Sequence, residues 1–265
     1  MNSASKKAIL VVSFGTSYEN TRKLTIEAIE HDIADAFPAC PTYRAWTSKM
    51  IIAKLKKRDG LTNHTVKEAL EQMLLDGITD VIVQPTHVIN GIENDQMKAD
   101  ALSFRDRFSS IVFGNPLLTT EEDNQAIVRV VADEFRDMDP DTALVLMGHG
   151  TEHYANTVYA ALDYRFKDTG HKNIFLGTVE AYPALDSLLR AADSFHPKKI
   201  VLAPFMIVAG DHAQNDLAGA DPDSWMNRLS SEGYEVTPVL KGLGEYPQVR
   251  QILVEHVQQA MNVSV

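Results

Sequence analysis

Apolar and polar positions along this chain alternate between two rhythms. Short apolar runs of strand character recur at Ala8–Phe14, Thr42–Trp46, Asp80–Val83, Ile111–Phe113, Ala143–Met147, Ile174–Val179, Lys199–Leu202 and Glu235–Leu240. Between them lie segments of helical period: Thr21–Ala36, Met50–Lys57, Thr65–Asp76, Asn94–Arg107, Asp123–Arg136, Ala155–Phe166, Pro183–Asp193, Asp223–Ser231 and Pro247–Met261. Strands alternating with helices predict right-handed crossovers and parallel sheets covered by helices on both faces. Runs such as ILVV and ALVLM are apolar throughout, as strands buried on both faces should be.

The pattern also repeats. Ala8–Thr21 reads AILVVSFGTSYENT and Ala143–Thr157 reads ALVLMGHGTEHYANT. DVIVQPTHVINGIEND (Asp80–Asp95) resembles KIVLAPFMIVAGDHAQND (Lys199–Asp216), each with a Gly six residues after a Pro. Tyr43–Leu55 aligns loosely with Phe175–Leu189, and FGNPLL (Phe113–Leu118) and LKGLGEYP (Leu240–Pro247) both turn on glycine after a strand. Echoes in the same order predict an α/β protein of two similar domains, each a parallel β-sheet flanked by helices, with an active-site cleft between them. The charged turn Arg136–Asp141 is the expected joint, giving domains 1–138 and 139–265.

Ligands of open parallel sheets bind beyond the carboxyl ends of the strands. In the second half those ends carry His149, Glu180 and, past the Pro204–Gly210 loop, His212. The aligned first-half positions are Phe14, about Ser48, and Glu93, so only one half can offer two imidazoles and a carboxylate. That trio suits a divalent first-row metal and can equally perform proton chemistry near neutral pH. A single histidine after a strand is also a common loop-capping group, and a single glutamate a common ion-pair partner; the joint placement is what favours chemistry. His87 and His153 are open between structural and cleft-facing roles, whereas His31, His64, His171, His196 and His256 read as solvated.

Composition narrows the function. The 265 residues are 45% hydrophobic, enough for two cores of roughly 130 residues each. A formal charge of -11 and a pI of about 5.2 argue against a nucleic-acid binder and disfavour an anionic membrane surface, but not a small anionic ligand in a locally positive cleft. The one cysteine, Cys40, excludes an internal disulfide and a cysteine-based metal cluster and reads as a small half-buried side chain. No apolar run reaches the length of a membrane span, and the N-terminal apolar run reads as a strand rather than a signal peptide, so a cytoplasmic location is expected. No P-loop, no GxGxxG after the first strand and no GxSxG elbow is present.

The segments LVVSFGTSYENT, RAWTSKMIIAKLKKRDG, THVINGIE, VLMGHGTEHYANTVYAALD, GTVEAYPALD, MIVAGDHAQNDLAG, DSWMNRL and GLGEYPQVR resemble the sirohydrochlorin cobaltochelatases of the CbiK type. These belong to the homomeric, ATP-independent chelatases that include protoporphyrin ferrochelatase. The resemblance implies metal insertion into a tetrapyrrole during anaerobic cobalamin synthesis. It also implies that His149 in the GHG turn, Glu180 in VEAYP and His212 in AGDH are the metal-binding and catalytic residues. Cobalt(II) is then a metal substrate, with iron(II) or nickel(II) as in vitro substitutes, and no tightly bound cofactor is expected. The expected partners are sirohydrochlorin, a divalent ion and further copies of the chain in a small homo-oligomer. Sirohydrochlorin carries eight carboxylates. Ser13, Thr16 and Ser17, with the backbone of Gly242 and Gly244, are the expected tetrapyrrole-binding groups; Arg44 and Lys49 are weaker ones. The alternatives are a ferrochelatase making sirohaem and a non-catalytic two-lobe metal binder.

Overall fold

The computed structural model describes residues 5–192 and 194–263. Eight strands form two four-stranded sheets: β1 (Lys7–Ser13), β2 (Thr42–Trp46), β3 (Asp80–Pro85) and β4 (Ser110–Phe113) in one, β5 (Thr142–Gly148), β6 (Ile174–Thr178), β7 (Lys199–Pro204) and β8 (Glu235–Pro238) in the other. Their orders, β2-β1-β3-β4 and β6-β5-β7-β8, are the same, and all pairings are parallel. Each predicted strand is present.

Burial explains which strands are central. Every residue of β5 is buried, and β1 is buried from Ala8 onward. The edge strands are wetter: β4 is half-buried throughout and β8 largely exposed. Pro238 sits on edge strand β8, where its missing N–H costs no ladder bond to a further strand.

The helices are α1 (Glu19–Arg22) and α2 (Ala28–Ala36), joined by a π-turn at Lys23–Glu27, then α3 (Lys49–Asp59), α4 (Val66–Leu75), α5 (Ile92–Leu102), α6 (Glu121–Glu134), α7 (Thr157–Asp168), α8 (Leu185–Ala192), α9 (Trp225–Ser231) and α10 (Pro247–Val263). Local chemistry sets several starts. Thr65 and Thr120 cap α4 and α6, each with a carboxylate three residues on (Glu68, Asp123) returning a bond to the cap N–H. Asp193, expected as the last residue of the α8 segment, lies outside the described residues.

The division into domains differs from the one expected at residue 138. Unit 1 runs through Thr119 and includes α10, whereas Thr120–Tyr246 forms unit 2. Helix α10 packs on α2, β3 and β4 through buried Val249, Leu253 and Val257, and Arg250 Nε lies 2.6 Å from Asp32 Oδ2. Helix α6, placed by the sequence in the first domain, packs on α7, and Glu121 pairs with Arg165 at 2.7 Å. Periodicity gives each helix an apolar face but does not name the sheet that takes it. His256 departs from its expected solvated state for the same reason: on α10 it is buried, its Nδ1 3.0 Å from the Asn115 carbonyl.

The repeat extends to individual backbone bonds. Beyond β1 and β2, Thr47 N–H donates to Ser13 and Ser48 N–H to Phe14; beyond β5 and β6, Val179 N–H donates to Gly148 and Glu180 N–H to His149. After β3 and β7, Thr86 N–H donates to Val12 and Phe205 N–H to Met147. Leu117 and Leu118 donate to His87 and Val88, just as Leu243 and Gly244 donate to Met206 and Ile207. Asp95 N–H donates to Gly91 and Gln214 N–H to Gly210. These bonds pair Phe14 with His149, Ser48 with Glu180, Glu93 with His212 and His87 with Met206.

Candidate metal centre

In each sheet the chain leaves the first strand toward one side and returns to pair on the other, so loops part at the carboxyl ends of β1 and β3, and of β5 and β7. Such switch points are where open sheets leave a crevice. In unit 2 that crevice carries His149 directly after β5 and His212 at the end of the loop after β7, with Glu180 contributed from β6.

Two glycines let His149 occupy its turn. A Cβ on Gly148 would lie 2.5 Å from a ring carbon of Tyr159. Gly150 has a φ of +87°, and a Cβ there would come within 2.8 Å of the Ala181 backbone nitrogen. The Glu180 N–H bond to the His149 carbonyl, at 2.9 Å, ties the second ligand to the first. Asn156 adds a second tie: its Oδ1 accepts from Thr151 N–H at 3.0 Å, and its Nδ2 donates to the Tyr182 carbonyl at 2.6 Å.

His212 opens a single π-turn, Ala213–Leu217. Its loop rests on the Gly242–Gly244 turn: Leu243 N–H donates to Met206 at 2.7 Å and Gly244 N–H to Ile207 at 3.0 Å. A Cβ on Gly242 would approach the Ile207 carbonyl to 2.5 Å. These glycines therefore support the metal-site loop. The expected role of their N–H groups as a carboxylate cradle does not hold, because Gly242 N–H already donates to Glu245 at 2.9 Å and Gly244 N–H to Ile207.

The three ligand-type side chains converge, with candidate donor atoms all within 4.8 Å of one another. Among the described residues they form the one such cluster. Glu180 lies 3.6 Å from His149 Nδ1 and 3.7 Å from His212 Nε2, and the two imidazoles meet edge to face at 4.6 Å between centroids. Two donors on one ion sit at most about 4.2 Å apart for metal–ligand distances of about 2.1 Å, so a sub-ångström contraction closes the set around a metal.

The tautomers follow from the acceptors. His149 Nδ1 lies 2.8 Å from the Gly150 carbonyl oxygen and His212 Nδ1 lies 2.7 Å from Asp216 Oδ2. Neither oxygen can donate, so in each of these bonds Nδ1 is the donor, and in the neutral form of that tautomer the lone pair sits on Nε2. The Asp216–His212 pair has the carboxylate–histidine arrangement that fixes the orientation of an imidazole at a metal site. Sequence reasoning missed Asp216, although its spacing four residues after His212 on a helical turn is a visible signal. All three side chains are partly exposed.

The remaining candidates fall elsewhere. His153 caps the short turn Tyr154–Asn156, its Nδ1 accepting from Ala155 N–H at 3.2 Å. Ser13, Thr16 and Ser17 are buried at the end of β1 in unit 1; Ser13 Oγ accepts from Thr86 Oγ1 at 2.9 Å and Thr16 Oγ1 from Tyr18 N–H at 3.3 Å. Arg44 is not available to a substrate carboxylate, since its Nε donates to both oxygens of Glu30 at 2.7 and 3.0 Å. Lys49 is exposed at the start of α3. His87 is buried, with neither ring nitrogen hydrogen-bonded, and burial holds its pKa down to about 4 against the opposing pull of Glu93. No helix among the described residues is long and apolar enough to cross a membrane.

Residues 7–262 match the family model described as cobalt chelatase (CbiK). The chain belongs to that family. It is 39% identical over 260 residues to a sirohydrochlorin cobaltochelatase of Salmonella typhimurium, covering 98% of each chain. It is 32% identical to the sirohydrochlorin cobaltochelatase CbiKC of Nitratidesulfovibrio vulgaris, covering 97% of this chain and 91% of that one. Among solved structures, SirB from Bacillus subtilis with Fe3+ superposes with a TM-score of 0.66 at 14% identity, covering 98% and 97% of the two chains. CbiX, described as the terminal enzyme of sirohaem synthesis in denitrifying bacteria, gives 0.56 at 16%, covering 96% of this chain and 99% of that one. At these identities the structural likeness establishes the fold.

Proposed function

We infer that this chelatase inserts cobalt(II) into sirohydrochlorin without nucleotide hydrolysis. The observation that carries the reading is the convergence of His149, Glu180 and His212, in a chain matched along its length by cobaltochelatases.

The reaction exchanges one divalent ion for two pyrrole N–H protons. His149, Glu180 and His212 hold the ion through two neutral imidazoles and one carboxylate, a set that leaves coordination positions for macrocycle nitrogens. As metal–pyrrole bonds form, the ion leaves the protein donors. The vacated lone pairs then face the protons that the pyrroles release, and His149 is the first acceptor. Asp216, bonded to Nδ1–H of His212, keeps that ring aligned through the exchange and offsets positive charge when it protonates. Metal–nitrogen bonding in the product is itself downhill, so no coupled hydrolysis is required. Substrate strain can contribute where binding energy elsewhere on the macrocycle is spent on bending it.

Ser13, Thr16 and Ser17, buried at the end of β1, are the proposed partners in unit 1 for substrate carboxylates. Insertion assays with cobalt(II), iron(II) and nickel(II) in parallel, under anaerobic conditions, test the reading. Cobalt should react with the highest kcat/KM. A preference for iron would instead favour sirohaem synthesis by the same three ligands, and spectral binding without insertion would make the chain a carrier.

A further inference from the structure

His87 follows β3 in unit 1, within the loop that leads to α5. It is 9% exposed, and both ring nitrogens are buried without a hydrogen-bond partner. An imidazole carries one donor and one acceptor, and leaving them unpaired in the interior costs roughly 1–3 kcal/mol each. Asn94, seven residues further on in α5, has a buried oxygen, Oδ1, that likewise lacks a partner. Buried polar atoms without partners need a cause.

The sister unit shows that the fold does not require a histidine there. The His87 carbonyl accepts from Leu117 N–H at 2.9 Å, and at the matching point of unit 2 the Met206 carbonyl accepts from Leu243 N–H at 2.7 Å. Met206 is also 9% exposed. One backbone arrangement thus accommodates a thioether in one copy and an imidazole in the other, at equal burial. Methionine needs no hydrogen bond, so backbone geometry does not explain the histidine.

Position supplies the cause. The ends of β1 and β3 flank the switch point of sheet 1, where open sheets take ligands. The preceding residue, buried Thr86, donates its hydroxyl to Ser13 Oγ at the end of β1. The substrate of the proposed reaction carries eight carboxylates, and the Gly242 and Gly244 N–H groups and the Arg44 guanidinium are committed within the protein. We propose that His87 is a substrate-binding residue whose ring N–H donates a hydrogen bond to a carboxylate of the tetrapyrrole. This rests on the tetrapyrrole being the ligand. A neutral ring suits this role. It is buried at less cost than a cation would be while no carboxylate is bound, and it makes a charge-assisted bond once the carboxylate arrives.

The test compares His87→Met, the residue of the sister unit, and His87→Gln, which keeps a donor. Binding of metal-free sirohydrochlorin is titrated by absorbance, and cobalt insertion is measured separately. His87→Met should fold with a Tm equal to or above that of the original protein, bind sirohydrochlorin roughly tenfold more weakly and raise KM to match, with kcat within about twofold. His87→Gln should recover part of the affinity. In the unsubstituted protein, the 15N signals of the His87 ring should move when metal-free sirohydrochlorin is added. Unchanged affinity in His87→Met overturns the assignment, as do a fall in kcat at constant KM and ring signals that do not respond. Loss of the fold in both variants would point to a structural role, and static ring signals would then overturn the proposal. A protein that binds sirohydrochlorin but fails to insert cobalt defeats the proposed reaction while still testing His87.

Discussion

The two units of this chain share a sheet order and the backbone bonds at their strand ends, yet among the described residues only unit 2 gathers a cluster that could hold a metal ion. Where unit 2 presents His149, Glu180 and His212, unit 1 presents Phe14, Ser48 and Glu93 on the matching donors and acceptors. Where unit 1 buries an unpartnered His87, unit 2 buries Met206. The duplicated backbone fixes where chemistry can be placed, and a few side chains decide which copy performs it.

The largest effect should come from moving unit 1's residue into unit 2. His149→Phe removes one imidazole and its Nε2 lone pair while keeping the arrangement that unit 1 already tolerates with Phe14. Cobalt insertion should fall by roughly 10²-fold or more, the range associated with losing a positioned acid–base group, with far-ultraviolet circular dichroism unchanged. Near-normal insertion rates would end the assignment of the site to unit 2. Next in size is Asp216→Asn. It leaves the direct donors untouched but replaces the carboxylate that receives His212 Nδ1–H at 2.7 Å. Loss of such an outer partner typically lowers metal affinity or activity by roughly 10- to 100-fold. Cobalt(II) titration followed by insertion kinetics would separate weaker metal binding from slower transfer.

Much of this is legible in the chain itself. Each predicted strand is present, β2 with the same bounds, because apolar runs buried on both faces have few other homes. The three ligand positions follow from reading strand ends as one edge of a parallel sheet, a rule that needs topology rather than side-chain detail. What escapes the sequence depends on contacts between distant segments. The destination of α10 is set by which sheet offers a complementary face. The fate of the Gly242 and Gly244 N–H groups is set by Glu245 and by a loop some 35 residues upstream in sequence, as the Leu243 and Gly244 bonds to Met206 and Ile207 show. The glycine motif is visible, but a GxG turn reads the same whether its amides face a ligand or the protein's own carbonyls. His87 and His256 are likewise visible as residues, while the burial that distinguishes them from a solvated His31 is not.

The contrast between His87 and Met206 can be sharpened through stability as well as binding. An unfolded histidine titrates near 6.5, whereas burial brings His87 down to about 4 in the folded chain. Above pH 6.5 both states are neutral at this site, and it contributes no pH dependence. Between 6.5 and 4 the unfolded chain binds a proton that the folded chain refuses, so stability falls with falling pH by up to about 3 kcal/mol from this group. In His87→Met that part of the acid loss disappears. Urea unfolding at pH 7 and pH 4.5 should show a smaller drop for the variant, and an equal drop would mean that the ring is protonated or solvated in the folded state.

The smallest expected effect is also the most direct examination of the duplication. Phe14 corresponds to His149 but is partly exposed, at 42%, and has Ser48 and Glu93 as its structural companions. Phe14→His would add an imidazole at the equivalent point without completing a site. Ser48 already accepts from Ile51 N–H as the cap of α3 and offers a hydroxyl where Glu180 offers a carboxylate. One imidazole and one carboxylate give a divalent ion two protein donors, against three in unit 2. Equilibrium dialysis with cobalt(II) at concentrations that saturate unit 2 should therefore still return one ion per chain, with insertion kinetics unchanged. A second tightly held ion would show that backbone register alone nearly suffices to build the centre. A stoichiometry of one would place the requirement in the full set of side chains, with the absence of a glutamate at position 48 as the deficiency to repair first.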